Sequence, residues 1–173
     1  MTYIKSNKEK VIHVVEKHPG LRFHEIKEQC GLANGTVQHH LSHLAKMKTF
    51  TVKYDRKVPR YYSYDIEGES QTILLRLRQT TTSKIIKSLL QNGCQSFSQL
   101  VKSSQKSAGT VSIYKNMLLQ DKIIIGDTEE CSSCPEMVNK IKYKLVNPDA
   151  VNTLIQEYGK TSLKKSSDNL ADI

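Results

Sequence analysis

Residues 21–64 run LRFHEIKEQCGLANGTVQHHLSHLAKMKTFTVKYDRKVPRYYSY. Phe23, Ile26 and Cys30 are spaced as one face of a short helix, and Gly31 can take the left-handed conformation that ends it and turns the chain sharply. Val37, Leu41 and Leu44 make the next apolar stripe, which predicts a helix over 34–48. Residues 51–54 and 60–64 are rich in β-formers and flank a polar turn at 55–59, the pattern of a hairpin. Helix, turn, helix and hairpin in that order is a helix-turn-helix followed by a β-wing, which makes double-stranded DNA the leading partner.

The helix over 34–48 also divides cleanly by face. At about 100° per residue, Leu41 and Leu44 share the edge of Val37, so that edge faces a core. Gln38, His39, Ser42, His43 and Lys46 then fall on the opposite edge, and all can hydrogen-bond base edges or phosphates in a major groove. Gly35 and Thr36 sit at the helix start, where amides and a hydroxyl can hold a phosphate oxygen. The wing supplies Lys53, Arg56, Lys57 and Arg60, with Tyr61 and Tyr62 beside them, a set suited to the backbone or a minor groove.

Outward from this stretch, Phe23, Gly35, Thr36, Val37, Leu44 and Lys48 recur 74 positions later as Phe97, Gly109, Thr110, Val111, Leu118 and Lys122. Two related modules are the simplest account. The fold expected is mainly α with small β-wings: one winged helix over 1–68, a second over 69–146, and a C-terminal helix and tail over 147–173. Its elements are a first helix over 6–18 ending at Pro19 and Gly20, a connecting helix over 72–79, helices over 83–90, 98–102 and 110–120, strands over 123–125 and 140–146, and a last helix between Pro148 and Gly159.

The second module departs from the first. Lys115 stands where the first has Leu41, and Ile113 and Met117 replace His39 and His43 on the outward edge. Asp127, Glu129, Glu130 and Glu136 surround its wing, which phosphate would repel. Its expected role is therefore protein contact, through Ile113 and Met117, or through the stripe of Val151, Leu154, Ile155 and Tyr158 on the last helix, giving a homodimer that presents two copies of the first module.

Several short motifs carry a resemblance. PGLRFHEI at 19–26, GLANGTV at 31–37, HL at 40–41 and RYY at 60–62 resemble the archaeal winged helix-turn-helix transcriptional regulators related to the ArsR and MarR groups. LR at 75–76 and YKLVNPD at 143–149 are similar to their tandem forms, so the likeness covers roughly residues 7 to 158. It implies a sequence-specific DNA-binding regulator, usually dimeric, with the 34–48 helix in the major groove.

Charge and composition bound the rest. Lys and Arg number 26 against 17 Asp and Glu, a net charge of +9, which suits a polyanion or an anionic membrane surface. No apolar run approaches the roughly 20 residues of a membrane helix, and the lysine-rich start has no signal-peptide core, so a cytoplasmic protein without a membrane partner is expected. Cys131 and Cys134 have the spacing of half a zinc site, of a redox disulfide or of a plain loop, so zinc is the one cofactor to consider; no disulfide is assumed. Cys30 and Cys94 read as small buried hydrophobes. His39 and His43, four apart on one face, also have a metal-holding spacing, where occupancy would compete with DNA. The chain has no glycine-rich phosphate loop, nucleophile elbow or paired-carboxylate constellation, so no enzyme is expected. The rival reading is a tandem winged-helix adaptor that binds proteins in a transcription or membrane-remodelling complex.

Overall fold

The computed structural model describes residues 6–127 and 141–159, and it is α+β: mostly helical with small antiparallel sheets. It divides into two compact units, one holding the described residues up to Ser63 and from Leu154 onward, the other Tyr64–Thr153.

In the first unit, α1 (Asn7–Lys17) opens on a capping box. The Ser6 hydroxyl accepts from the Glu9 amide at 3.2 Å while the Glu9 carboxylate accepts from the Ser6 amide at 2.7 Å, satisfying two N–H groups that a helix start leaves open. After α1, Gly20 takes φ +82° and donates its N–H to the Tyr61 carbonyl. Leu21 then pairs with Tyr61 as an isolated antiparallel bridge. α2 (Phe23–Cys30) ends on Gly31 in the left-handed conformation, as its place in the turn predicts. α3 (Asn34–Lys46) stops two residues short of the expected end because Lys48 takes φ +57°, and the Thr49 amide turns back to the Leu44 carbonyl. β1 (Phe50–Asp55) and β2 (Val58–Ser63) pair antiparallel from Phe50↔Ser63 to Asp55↔Val58. The hairpin turn is thus only Arg56 and Lys57, tighter than 55–59. Val11, Val15, Leu21, Ile26, Val37, Leu41, Leu44 and Phe50 form the core, each contributing about 1.5–3 kcal/mol by burial.

In the second unit, α4 (Gly68–Arg78) begins four residues earlier than the expected 72, with Gln71 donating its side-chain amide to the Ile66 carbonyl at the helix entry. α5 (Thr80–Asn92), α6 (Phe97–Ser104) and α7 (Ala108–Gln120) follow, with Ile85, Ile86, Leu89, Leu100, Val111 and Leu118 buried. α6 carries its own capping box, Ser96 with Gln99. β3 (Cys94–Ser96), three residues long, is too short to show as alternation in the sequence; it pairs with β5 (Lys142–Leu145), which also pairs with β4 (Ile124–Asp127), all antiparallel. Arg76 of α4 is ion-paired to Asp121 at the end of α7. The last helix is α8 (Pro148–Tyr158), begun by the Asn147 side chain accepting from the Ala150 amide.

The 74-residue offset persists in backbone conformation. α2 and α6 are 8 residues each and α3 and α7 13 each, all at that offset. Lys48 and Lys122 share a positive φ, as do Gly31 and Gln105, although glutamine has no glycine-like freedom to announce it.

Cys94 corrects one expectation. It is buried, as read, but disulfide-bonded. Cys30, also expected to be buried, is a free thiol and only half-buried. Burial pushes the Cys30 thiol above its ordinary pKa, with the Lys10 charge opposing. The zinc expectation for Cys131 and Cys134 lies outside the described residues, as do Glu129, Glu130 and Glu136 of the second wing.

Candidate nucleic-acid interface

The two edges of α3 are as different as its sequence requires. Val37, Leu41 and Leu44 are buried to within 2 % exposure, while Gln38, His39, Ser42, His43 and Lys46 all face solvent. Gly35 is exposed and Thr36 half-buried. The three histidines of α3 lie close together, the His39 ring 5.4 Å from His40, edge-on, and 6.4 Å from His43, nearly parallel. His40 is half-buried, and its proton affinity is lowered by that desolvation first, then by His39, His43 and Lys8. The open edge is thus a row of donors and acceptors on a rigid helix, with cationic charge at Lys46 and no acidic residue anywhere along α3.

The wing divides its basic residues. Arg56 and Lys57 form the exposed turn, and Lys53 is half-buried. Arg60, expected at the interface, is only 4 % exposed. Its Nη1 donates to the Gly20 carbonyl at 2.9 Å and its Nη2 to Asp55 at 3.4 Å. Strand alternation explains the difference: Arg60 lies two residues from Tyr62, which is wholly buried, so both point to the same covered face. Arg60 ties the wing to the Pro19–Gly20 corner and is turned away from solvent.

Sequence reasoning passed over Tyr54, which is 66 % exposed beside the turn. The signal was available. Phe50, Val52 and Tyr54 alternate onto one face of β1; Phe50 is buried and Tyr54 emerges beyond the core at the wing tip.

The matching edge in the second unit is of another kind. Ile113 is 64 % exposed and Met117 half-buried. Lys115 folds over the Phe97 and Tyr143 rings at 5.7 and 5.1 Å and donates to the Tyr143 hydroxyl, so its stem is spent on packing. Asp127 is paired with Lys144 at 3.2 Å. On α8, Val151 and Leu154 are buried within the chain and only Ile155 and Tyr158 are half-exposed. Val151 and Leu154 are therefore not available for the protein contact expected of the stripe.

Residues 5–74 match the family described as an N-terminal HTH domain. Those residues form a helix-turn-helix domain. That match contains α1 to α3 and the wing, so the exposed edge of α3 belongs to a domain of DNA-binding type. No curated protein shows significant similarity to the chain. Among the described residues, no group of three or more His, Cys, Asp or Glu side chains is placed to hold a metal, and no helix is long and apolar enough to cross a membrane.

Proposed function

We propose that the chain is a cytoplasmic, sequence-specific transcriptional regulator built from two tandem winged-helix modules, the first of which reads double-stranded DNA. The observation that carries this reading is the open edge of α3, where Gln38, His39, Ser42, His43 and Lys46 stand clear of the protein opposite a fully buried apolar edge. In the major groove these side chains meet base edges, Gly35 and Thr36 meet a phosphate at the helix start, and Arg56, Lys57 and Tyr54 lie along the backbone or minor groove. The second module, with Ile113 exposed where the first has His39, makes the protein contact that pairs two chains. Two reading helices in a symmetric dimer would then lie about 34–36 Å apart, or a multiple of that, to meet successive major grooves.

A salt titration on random duplex tests the electrostatic part. A reader with about six phosphate contacts loses affinity with a log–log slope near −5. A tandem winged-helix adaptor, whose basic faces are incidental, would hardly bind.

A further inference from the structure

We propose that Lys84, Lys87, Lys102 and Lys106 of the second unit form a sequence-independent binding surface for the phosphodiester backbone of duplex DNA, separate from the reading edge of α3. The choice of duplex as the polyanion rests on the DNA reading above. The surface itself is built wholly from α5, α6 and the turn into α7.

The charge is one-sided in the sequence before it is so in space. From Ser70 to Gln120 the chain has seven Lys and Arg and no Asp or Glu. Arg76 is ion-paired and Lys115 lies over two rings, whereas the four lysines of the surface make no ion pair among the described residues. Lys84 joins the helices. Its Nζ donates to the Ser104 carbonyl at 3.3 Å and to Gln105 Oε1 at 3.2 Å, which sets the ammonium of α5 against the turn between Lys102 and Lys106. Both acceptors are neutral, so the charge stands, and an ammonium has a third N–H to offer. Lys87 follows on the same face of α5, and Lys87, Lys102 and Lys106 are all exposed. The first unit has no counterpart: 74 residues earlier, Glu28 and Leu32 stand in the places of Lys102 and Lys106.

The described carboxylates of this unit gather elsewhere. Glu69, Asp121 and Asn147 line one hollow, so the acidic entry to α4 and the start of α8 lie with Asp121 at the far end of α7. That helix has 13 residues and is about 20 Å long at the helical rise, roughly twice the Debye length of a 0.1 M salt solution. Asp127, on β4, is paired with Lys144. The lysines therefore keep their attraction for phosphate. Ammonium groups on long stems act as point charges that neutralise a backbone and release its counterions without reading bases. Joined by the chain to a domain of DNA-binding type, they act at the effective concentration of a tethered module, so a few such contacts suffice.

The test is a salt titration of the full chain on random-sequence duplex. Each phosphate contact contributes about 0.9 to the log–log slope, so K102Q/K106Q, at two exposed positions, should melt as the wild type does and bind with a slope shallower by about 2. K102R/K106R should keep the wild-type slope, and the motif selected from a random duplex pool should be the same in all three proteins. A K102Q/K106Q slope equal to that of the wild type, or an equal loss in K102R/K106R, would overturn the surface. So would a K102Q/K106Q protein that loses affinity for vesicles of phosphatidylserine and phosphatidylcholine while its duplex slope stays intact, which would assign the lysines to an anionic membrane. A slope that responds as expected in a chain that selects no motif would remove the sequence-specific reading alone. A wild type that does not bind duplex at all would remove both.

Discussion

Replacing Arg60 with methionine separates stability from recognition at a residue whose charge and position suggest DNA contact. The guanidinium is buried, and its loss strips the Gly20 carbonyl of a donor at 2.9 Å and Asp55 of its ion-pair partner at 3.4 Å. An unsatisfied buried acceptor costs about 1–3 kcal/mol, and removing one member of a buried pair up to about 3–5. Two features reduce the sum: the ion pair is long, and the Arg60 Nε is itself a buried donor without a hydrogen bond, so the substitution also removes an existing penalty. The expected net loss is about 2 kcal/mol, read by urea denaturation, which for a domain of this size lowers the melting temperature by roughly 10 °C. Below that transition, the salt slope of duplex binding should stay that of the wild type. K57Q is the counterpart: stability within about 0.5 kcal/mol of wild type and a salt slope shallower by about 1. An R60M protein that melts like the wild type while losing a unit of salt slope would refute the structural role assigned to Arg60.

Other substitutions have defined outcomes. G20A should destabilise by about 2 kcal/mol or more in urea, because φ +82° strains any side chain and the new Cβ would meet the Tyr62 ring at 3.0 Å. G35A should be neutral or stabilising by up to about 1 kcal/mol, since its Cβ meets nothing within 4 Å and alanine is the better helix former. Alkylation of Cys30 by iodoacetamide, followed by peptide mass spectrometry, should reach its half-maximal rate at a higher pH than a free cysteine, because burial disfavours the thiolate; a midpoint at or below that of free cysteine would contradict it. I113D should leave melting unchanged, as the side chain is 64 % exposed, and shift sedimentation from dimer toward monomer; an unaltered dimer would move the protein contact elsewhere.

The fold was legible where periodicity and turn chemistry agree. The stripe of Val37, Leu41 and Leu44 placed the inward edge of α3, Gly31 placed the turn before it, and the outward edge followed by geometry alone. Legibility failed where tertiary context decides. Nothing local shows that Gln105 adopts a glycine-like backbone, or that Lys48 ends α3 two residues early. Arg60 reads as a wing cation until its strand parity is set against Tyr62, and its partner carbonyl lies 40 residues away. The stripe on α8 looked open because spacing shows that a helix has an apolar face and not how much of that face is buried. Cys94 looked like a small hydrophobe because a disulfide leaves no mark on the residues beside it.

Selection of bound fragments from a random duplex pool measures the central claim most directly. A recovered motif is expected, and Q38A should relax its preference at one or two positions by about 1–3 kcal/mol while the phosphate-dependent affinity persists. A pool that yields no motif, or a motif unchanged when Gln38 and Ser42 are both alanine, would show that the open edge of α3 does not read DNA.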